Sequence, residues 1–130
     1  MIVVDASVLS NALVYADERG HRARAVLRRD PEWAAPEHWK AEVFSVLRGL
    51  ALGRKISPVL GERGVERIPR LGISTVSLDQ LLPRMWQIRE SISGYDAAYV
   101  VLAEARDLTL VTGDLKLAKT ATSFCRIELS

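Results

Sequence analysis

The chain has 130 residues, 48% of them hydrophobic and 26% charged, which fits one globular domain over residues 1–130 and excludes a disordered chain. One cysteine, Cys125, excludes an intrachain disulfide and a cysteine-built zinc centre, and two histidines, His21 and His38, are too few for a histidine-rich one. The net charge of +2 does not by itself mark a nucleic-acid binder, no run approaches the roughly 20 apolar residues of a membrane span, and no basic leader precedes the first strand, so a cytoplasmic protein is expected.

Ile2-Val3-Val4 reads as a short buried strand, and Asp5-Ala6-Ser7 leads it into a helix running to Tyr15. An arginine-rich helix is predicted from Glu18 to Arg29, with Ala25, Val26 and Leu27 as its apolar part. Pro31 and Pro36 bracket a second strand of a few residues. From Pro36 or Glu37 a long helix runs to Gly53, its apolar positions being Trp39, Val43, Phe44, Val46, Leu47, Leu50 and Ala51. Ser57-Pro58 starts a helix to about residue 68, although Gly61 and Gly64 weaken it. Leu71 to Val76 is a third strand, and a helix capped near Asp79 follows. Gly94-Tyr95 precedes a helix from Asp96 to Arg106 that is apolar nearly all round and so should be buried. Leu108 to Thr112 is a fourth strand, Leu115 to Thr122 a short helix, and Arg126 to Leu129 an edge strand. Strands alternating with helices imply a parallel sheet covered on both faces, with function in the crevice at the carboxyl ends of the strands.

Four acids stand where that crevice should be. Asp5 ends the first strand and Asp114 follows the fourth; each is also a natural helix cap. Asp96 opens the buried helix and shares a face with Tyr99, Val100 and Ala103, so it meets either the helix dipole or a polar cleft. Glu42 lies at the edge of the apolar arc of the long helix, about 40° from Val46 at 100° per residue. Alone it reads as a solvated flank residue, but from that angle it can also reach over the rim of the core. Two like charges about 4 Å apart repel by roughly 4 kcal/mol at an effective dielectric near 20. A cluster of four therefore calls for a hard divalent cation, which takes oxygen ligands.

Asp5 in Val-Val-Asp-Ala-Ser-Val-Leu, Glu42 in Ala-Glu-Val-Phe-Ser-Val-Leu-Arg, Asp96 in Tyr-Asp-Ala-Ala-Tyr-Val-Val-Leu-Ala and Asp114 in Leu-Val-Thr-Gly-Asp-Leu-Lys-Leu-Ala resemble the four acidic motifs of the PIN domain, in order and over residues 2 to about 119. The small single-domain form is similar to the VapC toxins of toxin–antitoxin pairs. That resemblance implies a three-layer α/β/α sandwich with a central parallel sheet of four to five strands, making residues 1–130 one PIN-like nuclease domain. It implies an endoribonuclease that uses Mg²⁺ or Mn²⁺ to activate water, leaving a 5′-phosphate and a 3′-hydroxyl. Asp5, Glu42, Asp96 and Asp114 would then be the catalytic, metal-holding cluster. Thr112 and Ser7 match positions often held by a small hydroxyl. A homodimer and a VapB-type antitoxin are the implied partners, the antitoxin covering the helices at 18–29 and 37–52. Residues 53–78 carry no family signature.

With the four acids set aside, 18 basic residues face 12 remaining acids, a balance that suits a polyanion such as RNA. Arg19, Arg22, Arg24, Arg28 and Arg29 crowd the second helix, and Arg63, Arg67 and Arg70 share a face; each set is otherwise an ordinary solvated surface. Core packing is expected of Trp33, Trp39 and Trp86, and Cys125 should be a small buried hydrophobe. His21 and His38 are expected on the surface or in loops, although a histidine near the cleft could assist proton transfer. A catalytically silent PIN-like binding module is the alternative, but such modules lack some of the acids. A phosphoaspartyl receiver needs paired acids after its first strand, whereas Asp5 stands alone. A haloacid-type phosphatase needs Asp-x-Asp, and Ser7 holds the second position.

Overall fold

The computed structural model describes residues 1–130. Five strands, β1 (Ile2–Val4), β2 (Trp33–Pro36), β3 (Ile73–Val76), β4 (Leu110–Thr112) and β5 (Ile127–Leu129), form one all-parallel sheet in the order β3-β2-β1-β4-β5. Seven helices connect them: α1 (Ala6–Val14), α2 (Glu18–Arg29), α3 (Trp39–Leu52), α4 (Pro58–Arg67), α5 (Leu82–Gln87), α6 (Gly94–Arg106) and α7 (Leu115–Ala121). Parallel neighbours need right-handed crossovers, so the turn-back in strand order decides the layers. The chain walks from β1 to β3 with α1–α4 on one face, and returns through α5 and α6 on the other. Accordingly α1 packs on α2, α3 and α4, while α6 packs on β1, β2 and β4. The architecture is the three-layer α/β/α sandwich expected, with all five strands present.

Burial explains the short, apolar strands. Val3, Val4, Ala34, Ala35, Leu110 and Val111 are wholly inaccessible, as befits a sheet covered on both sides. Helix α6 is buried from Ala97 to Ala103, as its all-round apolar sequence requires. At Gly20 the backbone of α2 approaches the end of α1 so closely that a Cβ there would lie 1.8 Å from the Tyr15 carbonyl oxygen. Arg24 fastens the same junction, its Nη1 donating to the carbonyls of Ala12 (3.0 Å) and Tyr15 (2.8 Å), so this arginine is a structural cap on α1 and not a solvated charge.

Several element boundaries and side-chain placements differ from expectation. Pro36 belongs to β2, and α3 begins at Trp39, because the Glu37 amide is drawn away to the Val76 carbonyl of β3 (2.8 Å). Gly94 and Tyr95 lie inside α6, which starts two residues early and puts Asp96 in its first turn. Asp79 caps nothing; Ser77 Oγ accepts from the Asp79 amide (3.2 Å) and starts a 3-10 turn before α5. On α3, Phe44 and Val46 are exposed, since the helix turns the Trp39–Val43–Leu47 stripe to the core, with Leu50 and Ala51 packed beside it. Trp39 is buried and Trp33 half-buried, with Nε1 of Trp33 donating to the Leu27 carbonyl (3.1 Å). Trp86 is 68% exposed and so is no core residue; within α5 it is Met85 that packs against the core. Cys125 is half-buried, and burial pushes its thiol up to about 11, which removes it as a nucleophile at neutral pH.

Candidate active site

The switch point of the sheet lies between β1 and β4, which pair Val3 with Leu110 and Val4 with Val111. The next residues in this register are Asp5 and Thr112. Asp5 is the N-cap of α1: its Oδ1 accepts from the Val8 amide (3.1 Å) and the Ser7 hydroxyl (2.5 Å), and its Oδ2 accepts from the Thr112 hydroxyl. Ser7 Oγ also accepts from the Gly113 amide (2.8 Å), and Thr112 Oγ1 from the Asp114 amide (3.0 Å). The two hydroxyls thus stitch the turn after β4 to the end of β1.

Asp114 is the N-cap of α7, with Oδ1 accepting from the Leu117 amide (3.1 Å). Asp96, in the first turn of α6, accepts on Oδ2 from the Ser93 hydroxyl (3.2 Å). Glu42 reaches in from α3 and accepts on Oε1 from the Tyr99 hydroxyl (2.7 Å). Cap and cleft are therefore not alternatives at Asp5 and Asp114. One oxygen holds a helix end, and at Asp96, Asp114 and Glu42 the second oxygen has no protein partner. Three helix N-termini point their positive ends at the group, which offsets part of its charge.

Asp5, Ser7, Glu42, Asp96 and Asp114 line one cavity of about 310 Å³, with Tyr99 and Asn11 beside them and Arg19 at its mouth. Thr112 lies fully buried beneath it. Burial, more than the neighbouring charges, sets the protonation of these acids. Burial pushes the Asp5 carboxyl up to about 6, the Asp96 charge adding to it, against the opposing hydrogen bonds from Ser7, Thr112 and Val8. Burial likewise raises Asp96, with help from the Asp114 charge. Tyr99 is driven far above the ordinary tyrosine range by burial and by its bond to Glu42, so it remains a neutral donor. Arg19 spends its charge on Asp17 (Nη2 to Oδ2, 2.6 Å) and lies over the Tyr15 ring.

No three His, Cys, Asp or Glu side chains converge on a single point as a ready ligand set. The donors are nonetheless all hard oxygens with free lone pairs, the chemistry that suits Mg²⁺ or Mn²⁺, and Mg²⁺ keeps several waters while touching only one or two carboxylates. The donor set fits a hydrated hard divalent cation and no soft metal.

His38 lies in the turn before α3, in keeping with the expectation of a surface or loop residue. Its ring is nevertheless largely enclosed, with Nε2 3.0 Å from Glu42 Oε1 but off the axis of a hydrogen bond, and it packs edge-on to Tyr99 with centroids 5.5 Å apart. Tyr99 was expected beside Asp96, but the contacts of Tyr99 and His38 with Glu42 were not foreseen. Their signals were spacings: His38 sits four before Glu42 and Tyr99 three after Asp96, each one helical turn away. A separate apolar cleft of about 170 Å³, lined by Leu9, Leu13, Leu27 and Trp33 and rimmed by Arg28 and Arg67, lies apart from the acids.

The PIN domain family model matches residues 2–122. Ribonuclease VapC9 of Mycobacterium tuberculosis is 36% identical over 129 residues, 99% of this chain and 98% of that protein. Ribonuclease VapC1 of the same organism is 33% identical, covering 98% of this chain and 96% of its own. Among solved structures, PAE2754 from Pyrobaculum aerophilum superposes with a TM-score of 0.68 at 22% identity over 97% of this chain and 81% of that one. VapC20 of M. tuberculosis, described as a sarcin-ricin loop cleaving toxin, does so with a TM-score of 0.68 at 16% identity, covering 92% of this chain and 94% of its own. A match over nearly the whole length, to a family and to named relatives alike, has one reading: the chain belongs to the PIN domain family, in its VapC group.

Proposed function

We propose that this protein is a metal-dependent endoribonuclease toxin, with Asp5, Glu42, Asp96 and Asp114 as its catalytic cluster. The observation that carries this reading is the single cavity at the β1/β4 switch point onto which four separate elements turn those four carboxylates. Relatives named ribonucleases support RNA as the substrate. Asp5, Asp96 and Asp114 would hold Mg²⁺ or Mn²⁺, with Glu42 bound directly or through water. When bound, the cation supplies activation of water and neutralisation of charge at the phosphoryl centre.

The chain's own side chains set the geometry. Asp5, locked by Ser7, Thr112 and the Val8 amide, cannot swing away and must ionise to act. Tyr99 turns Glu42 so that its free Oε2 is available as a proton acceptor. Thr112 and Ser7 are positioning residues that act through Asp5 and through the turn carrying Asp114.

Partners follow from the same reading. A VapB-type antitoxin would lie over the acid cavity, framed by Glu42, Val46 and Leu50 of α3 and by Arg19 at the start of α2. The exposed apolar side chains Phe44 and Leu52 of α3 and Val59 of α4 support a homodimer. No helix is long and apolar enough to cross a membrane, and an RNA substrate agrees with action in the cytoplasm. The test is brief expression of wild type against Asp5→Asn, with cleavage sites mapped in total cellular RNA. Discrete cuts with 5′-phosphate ends, present only in wild type and lost from the purified enzyme in chelator, are expected. Equal cutting by folded Asp5→Asn would overturn the assignment.

A further inference from the structure

Tyr95 occupies the second position of α6, next to Asp96, yet it is 72% exposed. Its ring rests on the His38 imidazole, with centroids 5.5 Å apart and planes tilted by 36°, and His38 is itself wedged against Tyr99. One side of Tyr95 is therefore supported from within the fold while the rest of the ring meets solvent. The hollow beneath it has a volume of about 530 Å³ and shares Glu42 and Asp96 with the acid cavity. Beyond it, a second hollow of about 290 Å³ shares Met85 and Gly94 with the first and holds Trp86 and Arg89. Trp86 is also exposed, and the Arg89 guanidinium lies 4.2 Å from the centre of its ring.

Resting on the ribonuclease reading, we propose that Tyr95, backed by His38, and then Trp86 form an aromatic track that stacks unpaired bases of the RNA strand to one side of the scissile phosphate. A phosphate held at the carboxylates carries a base on either side, and the adjoining hollow, which shares Glu42 and Asp96 with the acid cavity, offers Tyr95 as a flat face. Every base has a π face, so such a platform grips a single strand with little sequence preference. Paired bases are hidden inside a duplex, so the track selects loops or single strands. Arg89 adds a cation at the far end, where the strand's backbone needs one. Exposed flat rings at Tyr95 and Trp86 with a cation at Arg89 match the bases and phosphates of a strand running out from the carboxylates, so the occupant of the track is RNA.

The test uses the whole chain in the Asp5→Asn background, in Mg²⁺, so that probes survive. Fluorescein-labelled oligouridylate and a base-free ribose-phosphate oligomer of the same length are titrated by anisotropy. The parent is expected to prefer oligouridylate. Tyr95→Ala should weaken oligouridylate binding roughly tenfold and leave the base-free oligomer alone, whereas Tyr95→Phe keeps the preference. Trp86→Ala should weaken only probes long enough to reach it. The dependence of affinity on salt should be the same in all variants, because no phosphate contact is removed. A parent that prefers neither probe, a Tyr95→Ala variant that binds as the parent does, or an equal loss on both probes overturns the track. So does a variant whose only defect is in binding a protein partner. RNA cutting by the wild-type chain is scored separately, so a nuclease without the track and a chain that is no nuclease give different results.

Discussion

Thr112 donates a hydrogen bond to Asp5 Oδ2 across the seam between β1 and β4, joining residues 107 apart in the chain. Thr112 Oγ1 at the same time accepts from the Asp114 amide (3.0 Å), so one buried hydroxyl serves two of the four acids. Thr112→Val keeps the shape and removes both bonds. It is expected to lose about 1–3 kcal/mol of stability, because the buried Asp5 oxygen loses a partner out of water's reach. The Thr112 bond also holds the Asp5 pKa down, so its loss should move the acid limb of the pH–rate profile upward. Denaturant melts and the pH dependence of kcat/KM check the two effects separately.

Asp5 makes stability itself pH-dependent. Its folded pKa of about 6 stands above the ordinary 3.8, so the folded chain keeps this proton longer than the unfolded one. Without divalent cation, stability should therefore fall as pH rises from about 4 to about 6 and then level off, a loss of about 3 kcal/mol from this group. Asp5→Asn cannot ionise and should be the more stable protein at pH 7 to 8, with the advantage vanishing near pH 4. Paired thermal melts across this range measure it, and a wild-type protein as stable as the variant at pH 8 would contradict it.

Millimolar Mg²⁺ or Mn²⁺ should offset the cost of holding these carboxylates ionised in one cavity. Binding to the folded state alone stabilises by about 2.7 kcal/mol at 100 times Kd. A rise in Tm is expected for wild type and should be largely absent in a variant carrying amides at Asp5, Glu42, Asp96 and Asp114.

Antitoxin and cation should compete for the same carboxylates. If a basic antitoxin side chain enters the acid cavity, saturating Mn²⁺ weakens antitoxin binding and the antitoxin weakens Mn²⁺ binding by the same factor. Calorimetric titration with and without Mn²⁺ reads the factor. An unchanged affinity would mean that inhibition works by covering the RNA path alone.

Gly20→Ala tests the packing that sets the mouth of the site. Its Cβ would collide with the backbone oxygen of Tyr15, not with a movable side-chain end. A loss of more than the usual 1–3 kcal/mol of overpacking is expected in a chemical-denaturation midpoint.

The order of elements, the parallel sheet and the four acids were legible because each rests on local pattern. Apolar runs of three or four residues ended by Asp mark strands that finish at a crevice, and the buried helix Gly94–Arg106 declares itself by being apolar all round. What the acids do to one another was decided only by tertiary structure. Glu42 on its helix looks like a solvated flank residue; the Tyr99 hydroxyl, 57 residues away, turns it inward. Whether Asp5 is cap or cleft residue has no answer in the sequence, since register between β1 and β4 makes it both. Phe44 and Trp86 departed from expectation for one reason. Helical spacing shows which residues share a face, but what lies opposite that face is set by chain segments far away in sequence.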